Sequence, residues 1–281
     1  MLGTASRIRS WLLVEQPGAW GPNAVTESGL DRRLATELKA RAGGRVRVLL
    51  TRRSDEETPA RRRCFLVHSG AAHPWVRSWD VDDARELLRI DFGALAAGEP
   101  LDVGRAQHSS LYLVCTNGSR DPCCDTRGAP TAAALRALRP DHSWECSHVG
   151  GDRFAANLVC LPHGIYFGRV EPEDLARILS LYENGVIDLA HYRGRSCYEP
   201  VVQAGESFVR ARTGLARIDD LVPEERRDRG PTSTTLTFRD RFGGRHDAVV
   251  GVRRAAPRPL TCTSSAPGAP REFFEAEEPV P

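Results

Sequence analysis

Hydrophobic and polar positions along the first part of the chain follow a β-α-β-β-α order. Short apolar runs, typical of buried strands, lie at residues 11–15 (WLLVE), 45–51 (RVRVLLT) and 63–68 (RCFLVH). Between the first two runs, residues 30–41 carry leucines at helical spacing. Residues 81–90 predict a short helix that begins with acidic residues. Together these elements predict an N-terminal α/β half over residues 1–105.

A similar pattern returns in the next part of the chain. The predicted strands are Leu111–Cys115, residues 142–148 and a hairpin of residues 157–162 and 164–170. The predicted helices are residues 129–138, which are rich in Ala and Leu, and residues 172–182, which begin at a proline. These elements predict a second α/β half over residues 106–195.

The rest of the chain predicts a small appendage and a tail. Residues 199–212 have a helical pattern, and residues 235–240 and 246–254 predict a hairpin closed at Gly243-Gly244. We therefore expect a C-terminal helix and hairpin over residues 196–254. Residues 255–281 are rich in Pro, Ala, Ser and Glu without apolar periodicity, which predicts a flexible, disordered tail.

Charge and hydropathy narrow the class of protein. The formal net charge is +2, from 39 Lys and Arg against 37 Asp and Glu, which argues against a general nucleic-acid binder. No apolar stretch approaches the length of a membrane span, and the run at residues 11–14 is too short for a signal peptide. We expect a cytoplasmic protein that binds no membrane. Structural disulfides are rare in that compartment, so the eight cysteines need another role, either in the core or in metal or redox chemistry.

Cysteines and a histidine follow the ends of two predicted strands in the second half. Cys115 ends one strand, and Cys123 and Cys124 follow in a turn-rich loop. His148 ends another strand and is followed by two glycines and Asp152. If the strands are parallel neighbours, these side chains converge at one edge of the sheet. Thiolates and imidazole are ligands of iron–sulfur and zinc centres, and glycines let the backbone approach such a centre closely.

Four sequence segments resemble the sucrase/ferredoxin-like family: WLLVEQPGAWG, RDPCC, HVGGDRFAAN and YFGRV. The resemblance runs from about residue 10 to about residue 210. The C-terminal half of that family is related to the thioredoxin-like 2Fe–2S ferredoxins. The resemblance thus implies an α/β protein with two thioredoxin-like halves, a small C-terminal appendage and a tail, and a 2Fe–2S cluster as cofactor.

The family pattern also implies a ligand set. Carried onto this chain, the cluster ligands are Cys115, Cys124, His148 and the residue at position 152. Asp152 stands where the bis-histidine version of the family has a second histidine, and carboxylate is a harder ligand than cluster irons usually take. Three alternatives stay open: Asp152 is the fourth ligand, Cys146 or Cys123 takes that place, or this branch kept the fold without the cluster.

The resemblance implies an electron-transfer or redox-sensing protein rather than an enzyme. The chain has neither a GxGxxG nor a P-loop nucleotide fingerprint, so an unidentified protein is needed as electron donor or acceptor. One alternative is thiol redox chemistry on a thioredoxin-like fold, although the adjacent pair Cys123-Cys124 replaces the usual Cys-x-x-Cys. Another is a structural zinc or interaction protein with the same ligands. No carboxylate pair indicates sugar hydrolysis.

Overall fold

The computed structural model describes residues 1–53, 61–262 and 266–276 of the chain. Within these residues the strands form two sheets, one of ten strands and one of four. The large sheet has the order β10-β9-β8-β6-β7-β2-β1-β3-β4-β5, and the small sheet has the order β11-β12-β13-β14. The protein is therefore mixed α/β, as the sequence predicts.

The N-terminal half supplies one side of the large sheet. Its elements are β1 (Ser10–Glu15), α1 (Arg32–Ala42), β2 (Val46–Arg52), β3 (Arg62–His68), β4 (Trp75–Val81), α2 (Phe92–Ala97) and β5 (Arg105–Gln107), with a 3₁₀ turn at Ala84–Arg89. The boundary expected at residue 105 thus falls inside a short strand at the sheet edge.

The second half supplies the other side. Its elements are β6 (Leu111–Cys115), α3 (Pro122–Thr126), α4 (Gly128–Leu138), β7 (Ser143–Cys146), β8 (Asn157–Leu161), β9 (Ile165–Gly168), α5 (Leu175–Glu183) and β10 (Tyr192–Arg195). Two 3₁₀ turns, Asp152–Phe154 and Pro172–Asp174, precede β8 and α5.

The two halves share one thioredoxin-like connectivity. In the N-terminal half β1 pairs with β2 in parallel and with β3 antiparallel, and β3 pairs antiparallel with β4. In the second half β6 pairs with β7 in parallel and with β8 antiparallel, and β8 pairs antiparallel with β9. A helix connects the parallel strands in each half, because a parallel pair needs a crossover connection. The prediction of two similar α/β halves is confirmed.

The halves join edge to edge through β2 and β7. These strands run antiparallel, with Thr51 opposite Cys146 and Arg52 opposite Glu145. The Arg52 guanidinium reaches the Glu145 carboxylate at 3.0 Å beside this junction. Pairing the two edges removes exposed strand edges that would otherwise bind other chains.

Strand alternation divides the buried residues between two layers. In β6, Leu113 and Cys115 face a core shared by the two halves, whereas Tyr112 and Val114 face the helices of the second half. The shared core also takes Trp144 from β7, together with residues of β1, β2 and β3. Both faces of these strands are covered, which explains why they appear in the sequence as continuous apolar runs.

The C-terminal region packs one helix on the small sheet. The elements are α6 (Pro200–Thr213), β11 (Leu221–Asp228), β12 (Ser233–Asp240), β13 (Arg245–Arg254) and β14 (Arg271–Glu275). The predicted helix and hairpin correspond to α6, β12 and β13, while β11 was not anticipated. Within residues 255–281, where the sequence predicts a flexible tail, the structure describes β14 paired with β13. Residues 263–265 and 277–281 of that segment lie outside the described residues.

Among the residues that the structure describes, no helix combines the length and the apolar character that crossing a bilayer requires.

A buried ion pair within α6 contacts the large sheet through Tyr192. Arg210 and Glu206 lie one helical turn apart at 2.9 Å, and both side chains are fully buried. The hydroxyl of Tyr192, in β10, donates to the second oxygen of Glu206 at 2.6 Å. Arg210 also donates to the carbonyls of Leu215 and Arg217, which fixes the chain after α6. Removing one partner would leave the other charge buried without compensation.

We predict that Arg210→Met lowers the free energy of unfolding by about 3–5 kcal/mol, because Glu206 loses its counter-charge. The exposed Arg212→Met on the same helix is the matched control and should cost less than about 1 kcal/mol. Urea unfolding followed by circular dichroism measures both. Equal losses in the two variants would contradict this role for the buried pair.

Candidate metal centre

The parallel pairing of β6 and β7 brings the predicted site residues to one edge of the sheet. Cys115, the last residue of β6, lies opposite Cys146, the last residue of β7. The chain then leaves each strand on the same side, toward Cys124 in one connection and His148 in the other. The convergence expected from the sequence is observed.

The first cysteine loop is shaped by a helix cap. Asp121 caps α3 by accepting from the Cys123 backbone N–H at 3.0 Å, and Pro122 takes the first helical position. The cap directs Cys124 into the shared core, where both Cys124 and Cys115 are fully buried. The two thiols therefore meet in an apolar environment rather than at the surface.

The second loop turns back through two glycines after His148. Gly150 and Gly151 have φ angles of +90° and +85°, which a residue with a side chain rarely adopts. A Cβ at Gly151 would also collide with the guanidinium of Arg193, a fully buried side chain. Arg193 holds the loop from behind by donating to the Gly150 carbonyl at 3.2 Å and to Asn157 Oδ1 at 2.6 Å. This tight turn returns Asp152 to a position beside His148.

Three potential ligand atoms lie close together. His148 Nδ1 lies 3.9 Å from Cys115 Sγ and 3.7 Å from Cys124 Sγ. All three atoms lie within 4.8 Å of one another. A nitrogen at about 2.0 Å and a sulfur at about 2.3 Å from one tetrahedral metal are about 3.5 Å apart, close to the two nitrogen–sulfur distances here.

Asp152 lies on the other side of the imidazole. Its Oδ1 is 2.8 Å from His148 Nε2, and the carboxylate is 9% exposed. This contact is an ion pair when His148 is protonated. The imidazolium then compensates the charge of the buried carboxylate.

Electrostatic coupling sets the protonation of these groups. The Cys124 thiol, which donates to Cys115, and the nearby His148 hold the pKa of Cys115 well below its usual range, although burial opposes this. The same hydrogen bond, together with burial, raises the pKa of Cys124. Burial lowers the pKa of His148, but the contacts with Asp152 and Cys115 outweigh it and raise the pKa to about 9. Burial opposes the change at Asp152, but the contact with His148 lowers its pKa.

This donor set fits an iron–sulfur or zinc centre. The two sulfurs lie near Nδ1 of the imidazole, and the Asp152 carboxylate lies at its other nitrogen, Nε2. A metal displaces protons from such groups when it binds, because thiolate and neutral imidazole are the ligating forms. Cys115, Cys124 and His148 lie close enough together to hold one metal ion.

Comparison with known proteins identifies the family. A model described as sucrase/ferredoxin-like matches residues 1–194. The chain belongs to the sucrase/ferredoxin-like family. No curated protein and no solved structure matches it. The match in this sucrase/ferredoxin-like protein spans both halves and ends within β10, so α6 and the small sheet lie beyond it.

The structure separates the remaining cysteines of the sucrase/ferredoxin-like protein. Cys146 is fully buried in the shared core, and burial raises the pKa of its thiol. Cys123 forms a disulfide with Cys262, 139 residues further along the chain. A covalent bond to Cys262 occupies the sulfur that the sequence offered as a spare ligand. Which residue is the fourth ligand stays a prediction.

The Cys123–Cys262 disulfide differs from the sequence-based expectation, because structural disulfides are rare in the reducing cytoplasm that was expected. It connects the loop that carries Cys124 to the C-terminal segment, and the Cys262 backbone N–H donates to Asp121 Oδ2 at 2.8 Å in the same place. Sequence patterns could not reveal this pairing, because Cys262 lies in a segment without periodicity. The role of Arg193 was also missed, because it depends on contacts with a loop that is distant in sequence.

We predict that Cys262→Ser lowers the free energy of unfolding by about 2–5 kcal/mol, since the disulfide closes a long loop in the unfolded chain. Wild-type protein treated with reductant is the matched control and should behave like the variant. A thiol assay in denaturant should find six free thiols without reductant and all eight after reduction. Eight free thiols in the untreated protein would contradict the pairing.

Proposed function

We propose that this sucrase/ferredoxin-like protein holds a 2Fe–2S cluster and carries or senses electrons. The observation that supports the proposal is the convergence of Cys115 Sγ, Cys124 Sγ and His148 Nδ1 within 4.8 Å, with Asp152 Oδ1 at the far nitrogen of His148. Cys115 and Cys124 would bind as thiolates, and His148 and Asp152 would complete the ligand set. A cytoplasmic location stays a prediction, and the Cys123–Cys262 disulfide counts against it, because disulfides are rare in a reducing compartment.

The protein supplies ligands of unequal charge. A cluster of this kind supplies one-electron chemistry, and its potential rises where neutral imidazole replaces thiolate. Asp152 adds a negative charge that stabilises the oxidised form. The buried, positively charged Arg193 braces the same loop and partly offsets that charge. The negative charge of Asp152 and the positive charge of Arg193 would thus shift the redox potential in opposite directions.

His148 marks the place where electrons would enter or leave. Its side chain is 20% exposed, whereas both cysteines are fully buried. A cleft of about 310 Å³ opens beside it, and Lys39, Arg47 and Arg120 are among its lining residues. These cations favour an electron donor or acceptor protein with an acidic surface, because complementary charge steers association.

Two alternatives use the same side chains. Zinc would bind this donor set without redox chemistry. Thiol–disulfide exchange would use the Cys115 thiolate, but full burial of Cys115 and Cys124 blocks attack on a protein disulfide. The thiol alternative is thus less favoured by the structure, and metal content separates iron from zinc.

We expect anaerobically purified protein to be brown, to contain about two irons and two sulfides per chain, and to lose its colour on reduction by dithionite. Cys124→Ala should abolish the visible absorption because a cluster ligand is removed. Cys160→Ala, at a fully buried cysteine in the core of the second half, is the matched control and should keep it. A colourless wild-type protein after reconstitution with iron and sulfide, or one that binds zinc alone, would refute the proposal.

A second prediction tests the fourth ligand. Asp152→His should keep the cluster and raise its midpoint potential by on the order of 100 mV, because a neutral imidazole replaces an anionic carboxylate. Pulsed EPR of the reduced protein should then detect two coupled imidazole nitrogens instead of one. A potential and spectrum equal to those of the wild type would show that Asp152 is not a ligand.

A further inference from the structure

A second cavity lies behind the metal site, on the far side of the turn that carries Asp152. Its volume is about 380 Å³, within the range of small-molecule binding sites. It is lined by the 3₁₀ turn, by Arg193 of β10 and by the C-terminal segment, including Leu260, Arg271 and Phe273. The disulfide of Cys123 with Cys262 attaches that segment to α3.

Three arginines line this cavity: Arg153, Arg193 and Arg271. The guanidinium carbons of Arg153 and Arg193 lie 4.7 and 5.0 Å from the centre of the Phe154 ring, and that of Arg169, which does not line the cavity, lies 6.0 Å from it. Such crowding of like charges is unfavourable without a negatively charged partner.

Carboxylates do not neutralise this group in the described part of the chain. Of the described residues that line the cavity, Asp152 is the one acid, and its Oδ1 lies against His148. Arg153 Nε is buried and has no hydrogen-bond acceptor among the described residues. A buried guanidinium N–H without an acceptor is costly, so an external acceptor would stabilise this arrangement.

The three arginines that line the cavity, Arg153, Arg193 and Arg271, do not contribute equally. Arg193 already donates to Thr4, Gly150 and Asn157, so it supplies charge rather than free donors. Arg153 and Arg271 line the cavity from two different segments and can direct N–H groups into it. Two planar guanidinium forks need more oxygens than one carboxylate has, whereas a phosphate monoester offers three and carries about two negative charges.

We propose that this cavity binds the phosphate group of a small soluble molecule, with Arg153 and Arg271 as its direct ligands. The cavity is larger than a phosphate ion alone would fill, and Phe154 and Phe273 provide apolar walls for the rest of the molecule. The site is separate from the four proposed metal ligands except at Asp152, and it does not depend on the presence of a cluster.

Isothermal titration calorimetry at constant ionic strength in chloride tests the proposal with three probes: inorganic phosphate, ribose 5-phosphate and adenosine 5′-monophosphate. We expect saturable binding with a dissociation constant on the order of 1 mM or lower. Equal affinity for all three probes would indicate a site for the phosphate group alone, and tighter binding of an ester would show that the apolar walls contribute. No saturable binding of any probe would overturn the proposal.

Charge-removing variants locate the site. Arg153→Gln and Arg271→Gln should each weaken phosphate binding at least about tenfold. Arg271 is exposed on β14, so Arg271→Gln should keep the fold and serves as the test if Arg153→Gln unfolds. Arg33→Gln, exposed on α1, is the matched control and should bind as the wild type does. Unchanged affinity in both test variants would overturn the assignment.

The same titration of Cys124→Ala protein separates this proposal from the metal site. Phosphate binding should persist there, whether or not the wild type contains a cluster. Loss of binding in that variant while its fold is retained would overturn the claim that the two sites are independent.

Discussion

The parallel pairing of β6 with β7 is the constraint on which the rest of the site depends. It aligns the ends of two strands whose sequences are separated by a helix, so Cys115 and Cys146 lie side by side and the following loops leave toward the same point. Because the pleat alternates, Cys115 faces the shared core. The two cysteines of the site are thus fully buried in the shared core, while His148 lines the cleft beside it.

The shared core exists because two similar halves join at their edges. The N-terminal half repeats the connectivity of the second, yet the last residue of β1 is Glu15, where β6 ends in Cys115. Glu15 accepts from the Arg63 backbone N–H and serves a local structural role. The first half therefore contributes a wall to the centre rather than a second centre, and the cleft beside His148 forms where the halves meet.

Electrostatics connects the centre to its surroundings. His148 lies between two acidic groups, with Nδ1 facing Cys115 Sγ and Nε2 facing Asp152 Oδ1, so a protonated imidazole there would be stabilised from both sides. Arg193 braces the loop beneath them and also joins the arginines around Phe154. The same buried cation therefore contributes to the field of the metal site and to that of the cavity behind it.

Local sequence patterns predicted β1–β3, β6–β9, β12 and β13 and the two-half organisation, because apolar periodicity and turn residues depend on near neighbours in the chain. They did not predict β4, β5, β10, β11 or β14. They also placed Cys115, Cys124 and His148 after strand ends that could converge. The folded structure was needed to show that these three side chains do converge, that Asp152 lies at the far nitrogen of His148, and that Cys262 reaches the cysteine loop. These contacts join segments distant in sequence, and their formation depends on strand order and packing across the whole core, which no local pattern encodes.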